Sequence, residues 1–404
     1  MHPTSHSDPA ADAGSPPPDD AALALYLHIP FCHVHCTYCS FNVYTRRERL
    51  IRPYMAALRR EIALVAAGTS RAALSVYFGG GTPSLVPADE IRATLEACGR
   101  AFALTDEAEI TLEVNPEAAD LDLARLRRAG VNRLSIGMQS AHESELKLYA
   151  RLHTQSDVEH MVRRARAAGF DNLSLDLIYG APRQTMHLWQ ASLHAALALE
   201  PDHISFYSLT IDEGTTFERW VRSGRIPLPD PDLAADMYEW ATDTLAAAGF
   251  EQYEISNWAR PGKASRHNMQ YWRCRPYLGF GAGAHGYAAG IRYATVLKPE
   301  DYIARIEAQS APGPFPFSAA VDWVERIDRK TAMAELMIMG LRLTGEGVSY
   351  TDFARRFGIS LDSVYGPAIA PLKAAGLLAS DPDGRLRLTR RGRLLGNQVF
   401  MAFL

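Results

Sequence analysis

Between Leu23 and Phe250 one rhythm repeats six times: a short apolar or β-branched run, then a longer segment of helical period. The short runs are 23–29 (LALYLHI), 74–78 (LSVYF), 109–114 (EITLEV), 132–137 (NRLSIG), 172–178 (NLSLDLI) and 203–209 (HISFYSL). The helical segments fall near 48–67, 88–102, 120–129, 142–168 (with a break), 186–199 and 232–248. Several stop at a glycine, as at Gly68, Gly130, Gly169 and Gly249. Such alternation specifies a parallel sheet with right-handed crossovers. Six units predict an α/β fold, an open partial (β/α)6 barrel. In that architecture functional groups gather beyond the C-terminal ends of the strands. Glycines and polar residues do fall there: the loop after the first run, Gly79-Gly80-Gly81-Thr82, Glu113, Gln139, Asp176 and Thr210.

The loop after the first run carries Cys32, Cys36 and Cys39, three of the five cysteines, in a C-x3-C-x2-C spacing. An odd cysteine count with three crowded together is no disulfide framework. It reads as a metal site in a reducing compartment, so the expected location is cytoplasmic. Zinc would want a fourth ligand, which only His33, His35 or a distant residue such as Cys274 could supply. A cubane iron–sulfur cluster normally takes four thiolates, and three leave one iron open to a small molecule. His33 and His35 read as solvent-facing loop residues, and Cys98, within LEACGRAF, as a core residue.

The net charge of −4 gives no reason to expect nucleic acid or an anionic membrane as partner. No apolar run approaches the length that crosses a bilayer. Residues 1–22, rich in Pro, Ala, Ser and Asp, read as a disordered tail. Residues 23–250 are expected to form the barrel and 251–318 a loop-rich extension containing HNMQYW and GFGAGAHG. Residues 319–404 are expected to form a helical, winged-helix-like domain, because helices there precede a hairpin turning at Asp381-Pro382-Asp383-Gly384. Residues 351–404 carry eight Lys or Arg against four Asp, a net of +4. That excess is small, and a lid or docking surface suits this domain better than DNA binding.

The triple glycine at 79–81 lets a ligand approach the main chain closely. Glu113 and Asp176 sit in otherwise apolar strands, where a carboxylate needs a partner. A hydroxylated or cationic ligand would supply one. An Arg151–Asp176 ion pair would explain these two residues structurally.

The motifs Y-x-H-I-P-F-C-x3-C-x2-C, GGGTP, L-E-V-N-P, S-I-G-M-Q-S and D-L-I-Y-G-x-P, in that order, resemble the radical S-adenosylmethionine (SAM) enzymes. More narrowly they resemble the oxygen-independent coproporphyrinogen III oxidase group, over nearly the whole chain from about residue 24. The resemblance implies a [4Fe–4S] cluster on Cys32, Cys36 and Cys39, with SAM on the open iron and reductive cleavage to a 5′-deoxyadenosyl radical. It implies one SAM met by Tyr26, Gly80 and Glu113. It implies a second met by Tyr38, Gly81, Thr82, Gln139, Arg151, Asp176 and Thr210, and a backbone contact near His285. The electron donor would be a reduced flavodoxin or ferredoxin.

Two departures separate this sequence from the oxidase. The oxidase pattern adds a fourth cysteine, C-x3-C-x2-C-x-C, where this chain has Phe41, and it has a longer segment before the cluster. Cys39-x-Phe41 and His267-Asn268-x-x-Tyr271-Trp272 are similar instead to the haem chaperone branch of the family. On that resemblance His267 is a candidate axial haem ligand flanked by Tyr271 and Trp272, with Cys274 the alternative. The expected function is haem binding and delivery to an acceptor protein, within porphyrin biosynthesis. The alternatives are an oxygen-independent coproporphyrinogen III oxidase, a two-SAM radical methyltransferase, and a zinc-binding structural module.

Overall fold

The computed structural model describes residues 22–404. The tail expected over 1–22 lies outside the described residues except for Ala22. Six parallel strands follow in order: β1 (Leu23–Ile29), β2 (Ala73–Gly80), β3 (Leu104–Val114), β4 (Arg133–Gln139), β5 (Leu173–Tyr179) and β6 (His203–Ser208). Helices α1 (Ile51–Ala66), α2 (Ala88–Ala101), α3 (Leu123–Arg128), α4 (Glu143–Leu148), α5 (Gln155–Ala167) and α6 (Met186–Leu197) provide the crossovers. Strands β1 and β5 are buried nearly throughout. The segment 142–168 breaks as expected, between α4 and α5, and Thr154 caps the second helix in a capping box with Asp157. Strand β3 begins five residues before the expected 109. Those five residues, LTDEA, include three exposed ones, Thr105, Asp106 and Glu107, and give no apolar signal.

The barrel is the expected partial one, but the sheet runs to 12 strands. The extra strands come from 251–318 and just beyond it. There the chain forms β7 (Glu251–Glu254), β8 (Asn257–Ala259), helix α7 (Arg266–Trp272), β9 (Tyr277–Phe280), β10 (His285–Ala288), β11 (Ile291–Thr295), helix α8 (Pro299–Ala308) and β12 (Val321–Arg326). The sheet order is β12-β11-β10-β9-β1-β2-β3-β4-β5-β6-β8-β7. Strand β9 is a seventh parallel strand, pairing with β1 at Tyr26↔Gly279. These strands are short, and β9 and β10 carry a glycine, so propensity alone did not reveal them. Gly279 is required by packing: a Cβ there would overlap the backbone of His285. The sheet also passes the expected boundary at 318, because exposed β12 still pairs with β11.

Helix α1 holds the glycine-rich loop after β9. Tyr54 OH donates to the His28 carbonyl (2.8 Å) and accepts from the Ala282 N–H (2.7 Å). Buried Glu61 accepts from the Gly281 N–H (2.9 Å), Tyr302 OH (2.6 Å) and Ser318 OH (2.6 Å). The C-terminal domain has its own core, including Met337, Leu341, Phe353, Leu361, Leu386 and Phe400. It runs helix α9 (Arg329–Gly340), a strand at 348–349, two helices, then the hairpin strands 378–380 and 385–388, a winged-helix order. It docks on the barrel through the Arg273–Glu346 pair, Arg390 on Asp243 (2.7 and 2.8 Å), and Arg342 over the Trp272 ring (4.6 Å).

Candidate cluster site and adjoining cavity

The cysteine loop leaves β1 and is fixed at its centre by Thr37. Its hydroxyl donates to the Leu148 carbonyl (2.7 Å), its N–H to the Tyr149 carbonyl (3.2 Å), and its carbonyl accepts from the Phe217 N–H (3.0 Å). The glycine run lies alongside: the N–H groups of Gly81 and Thr82 donate to the carbonyls of Ile29 and Phe31, both at 2.8 Å. A Cβ on Gly81 would stand 2.7 Å from the Phe31 oxygen and 3.0 Å from Cys32 Sγ. Gly80, at φ +114, leaves room only for the His28 ring. The glycines therefore serve close backbone approach beside Cys32.

Cys32, Cys36 and Cys39 line one cavity of about 550 Å³. Burial pushes the Cys32 thiol up to about 11 and raises Cys39 too, so both stay protonated near neutral pH until a metal displaces the proton. Arg151 reaches toward Cys36 Sγ (Nη1 at 3.9 Å), while its buried Nε–H has no partner among the described residues. Three thiols on one wall beside a guanidinium with a spare donor fit a thiolate-held anionic cluster. Among the described residues no three His, Cys, Asp or Glu converge tightly enough for a single ion. His33 and His35 are exposed, His33 near Glu48 and His35 on the Cys39 carbonyl (3.1 Å).

The same cavity is lined by Tyr38, Gly80, Gly81, Thr82, Glu113, Gln139, Arg151, Asp176 and Thr210, nine of the eleven SAM candidates. Glu113 accepts from Tyr77 OH (2.9 Å) and the Gly80 N–H (3.1 Å); burial pushes its carboxyl up to about 7, with Asp176 adding to the rise. Asp176 accepts from Ser135 (2.9 Å) and Ser174 (3.1 Å), and burial raises it as well. The Arg151–Asp176 ion pair does not form: Arg151 donates instead to Asn115 Oδ1 (2.8 Å) and the Gly137 carbonyl (3.0 Å). Gln139 holds a strained φ of +63, in the left-handed region that non-glycine residues rarely take.

Tyr26 and His285 line a second cavity of about 660 Å³ with Tyr271, Trp272, Cys274, Arg275, Tyr277, Tyr287, Arg292 and, from the C-terminal domain, Glu335, Ile338 and Met339. Phe41 and Gly80 line both cavities. Helix α7 stands between them, with Asn268 on the cysteine side and Tyr271 and Trp272 on the other. Its first turn is held by buried Glu109, which accepts from Ser265 OH (3.1 Å) and the N–H groups of Arg266 and His267 (both 3.0 Å).

His267 reaches neither cavity. It is 1% exposed, with Nδ1 on Ser75 Oγ (2.9 Å) and Nε2 on Tyr271 OH (2.7 Å). Burial, with the Arg133 charge adding, pushes its imidazole down to about 3. The neutral ring donates to one partner and accepts from the other, leaving no lone pair for iron. The expectation of His267 as axial ligand is corrected on that ground; Tyr271 and Trp272 do line a cavity.

The sequence reading missed Asn115, Arg133 and Asn268, all on the cysteine cavity. Arg133 is 2% exposed and has no ion pair among the described residues. An arginine opening the largely apolar strand RLSIGMQ was a visible signal. Asn268 faced a cavity only through the unforeseen helix α7.

Residues 26–196 match the radical SAM superfamily, and residues 327–395 match the HemN C-terminal domain. The haem chaperone HemW of Bacillus subtilis is 37% identical over 384 residues, covering 94% of this chain and 99% of that protein. The mitochondrial radical S-adenosyl methionine domain-containing protein 1 of Bos taurus is 43% identical over 414 residues, covering 98% of this chain and 91% of that one. The structure of coproporphyrinogen III oxidase (HemN) from Escherichia coli superposes with a TM-score of 0.82 over 95% of this chain and 90% of that one. At 24% identity, that is a likeness of fold. The glycine-flanked cysteine loop, the partial barrel and these relatives together show that the chain belongs to the radical SAM superfamily, in its HemN-related group, on the branch of the haem chaperone HemW.

Proposed function

We propose that the chain binds haem in the aromatic cavity, holds a [4Fe–4S] cluster and SAM in the cysteine cavity, and delivers the haem to an acceptor protein. The observation that carries this reading is Phe41, 67% exposed and common to both cavities. Where the oxidase pattern has a fourth thiol beside its cluster, this chain presents an apolar ring to the neighbouring space. Aromatic walls there suit a flat macrocycle. The guanidinium group of Arg275 suits one of its carboxylates.

In the cysteine cavity, Cys32, Cys36 and Cys39 would hold the cluster. When bound and reduced, that cluster supplies the electron for SAM cleavage. The chain's own part is positioning. Glu113 and Asp176 are acceptors for an ammonium and for ribose hydroxyls, and Arg151 Nε is a donor for a carboxylate. With haem in the aromatic cavity, one SAM fills the cysteine cavity. The reductant is a small electron-transfer protein of the flavodoxin or ferredoxin type.

The test is anaerobic reconstitution followed by two assays on one preparation. Titration with haem is expected to give a saturable haem spectrum and transfer to an apo-acceptor. Incubation with coproporphyrinogen III, SAM and reductant is expected to give no decarboxylation. Decarboxylation without a haem spectrum would transfer the assignment to the oxidase reading.

A further inference from the structure

Asn115 directly follows strand β3 and lines the cysteine cavity. Its Oδ1 accepts from Arg151 Nη2 (2.8 Å). Its Nδ2 donates to Glu117 Oε1 (3.1 Å) and to Thr82 Oγ1 (3.4 Å). A carboxylate on one side and a guanidinium on the other leave the amide a single orientation. The Thr82 oxygen accepts from Asn115, and its own proton goes to Cys32 Sγ (3.4 Å). Arg151, held at Nη2, extends Nη1 toward Cys36 Sγ (3.9 Å). Gly137 gives the guanidinium its passage: its carbonyl accepts from Nη2 (3.0 Å), and a Cβ there would stand 3.2 Å from that nitrogen. Glu117 is itself placed by buried His153, whose Nδ1 lies 3.6 Å from Oε2 and whose Nε2 meets the Met138 carbonyl (2.9 Å). One neutral amide thus aims two donors at two of the three cluster thiols.

We propose that Asn115, braced by Glu117, is a positioning residue that sets the reduction potential of the cluster on Cys32, Cys36 and Cys39. It does so by directing the Thr82 hydroxyl and the Arg151 guanidinium at the sulfurs of Cys32 and Cys36. The inference rests on the cluster reading above. Donors aimed at ligand sulfurs stabilise the more negative, reduced state, so their loss lowers the potential. Asn115 carries no charge, so its replacement by a neutral residue acts through the direction of those two donors. A role confined to packing would change stability and leave the potential where it is.

The test is a potentiometric titration of the anaerobically reconstituted full chain without SAM, read by electron paramagnetic resonance of the reduced cluster. Iron and acid-labile sulfide are measured on every sample. Native chain, Asn115→Leu, Asn115→Ser, Arg151→Met and the Asn115→Leu/Arg151→Met double variant are compared. Leucine keeps the volume of the amide and serine does not, so a shift common to both follows the lost hydrogen bonds. In each Asn115 variant the constant for one-electron reduction is expected to fall about tenfold or more, a drop of about 59 mV or more. Iron and sulfide content should stay native. Arg151→Met should lower the potential too, and the double variant should fall short of the sum of the two shifts, because Asn115 acts in part through Arg151. A native potential in either Asn115 variant, or strict additivity in the double variant, would overturn the positioning role while leaving the cluster reading intact. Arg151→Met keeps Asn115 in place, and a native potential there would overturn it even were neither Asn115 variant to fold. No iron–sulfur signal in the native chain would instead reject the cluster reading itself.

Discussion

His267 Nε2 and Tyr271 OH lie 2.7 Å apart, one turn apart on helix α7. The imidazole is thereby a clamp on a cavity wall: it holds the Tyr271 phenol, whose ring meets Tyr277 edge-on at 4.6 Å. One such hydrogen bond contributes about 0.5–1.5 kcal/mol. His267→Ala should therefore weaken haem by about two- to tenfold. Its ferric and ferrous–CO spectra should match those of the native chain. A changed axial-ligand spectrum in that variant would return His267 to the iron.

Phe41 predicts a separation of effects. Phe41→Ala removes an exposed ring from the wall common to the two cavities, while the cysteine loop stays anchored through Thr37. Burying a phenylalanine against a ligand contributes about 1.5–3 kcal/mol. Haem affinity should fall about tenfold or more, with iron and acid-labile sulfide content unchanged on reconstitution.

Glu113 predicts two opposite pH trends. Its carboxyl titrates near 7 in the folded chain against an ordinary 4.5. The folded value is the higher one, so the group's stabilising contribution is complete below about 4.5 and is lost as pH rises through about 7. Glu113→Gln should raise the melting temperature of the ligand-free chain at about pH 8 and change it little at about pH 5. The gain is about 1–2 kcal/mol, reduced because the carboxylate faces an open cavity. An ammonium partner needs the ionised form, so SAM affinity in the native chain should rise over the same pH range. In Glu113→Gln, calorimetry should find that rise flattened.

Much of this was legible in the sequence because the barrel strands are long and apolar and their helices long and periodic. The strand-end rule set Gly80, Gly81, Thr82, Glu113, Gln139, Asp176 and Thr210 on one rim, the family resemblance added Tyr38 and Arg151, and all nine line one cavity. What failed to read was set by tertiary packing. Strands β9 to β11 are four or five residues long and exist because β1 offers an unpaired edge and α1 anchors their loop. His267 looked like a free ligand because nothing local announces Ser75, which is 192 positions away. The Arg151–Asp176 pairing likewise lost to Asn115 and the Gly137 carbonyl.

Glu61 predicts a stability effect remote from both cavities. Its carboxylate satisfies three buried donors, on Gly281, Tyr302 and Ser318, and so ties α1 to the loop that carries Gly283 and His285. Glu61→Ala strands those donors and should cost about 2–4 kcal/mol of unfolding free energy by denaturant titration. Tyr302→Phe removes one donor together with its need and should cost about 1 kcal/mol.

The central claim is that haem and SAM occupy adjoining but separate cavities divided by Phe41 and helix α7. The direct measurement is an anaerobic haem titration by absorbance on the cluster-reconstituted chain, with and without saturating SAM. It is repeated on Cys32→Ala, which removes one thiol of the cluster site. The account predicts saturation at one haem per chain in all three samples, with little change in affinity. Displacement of haem by SAM, or loss of haem binding in Cys32→Ala with the fold intact, would contradict it.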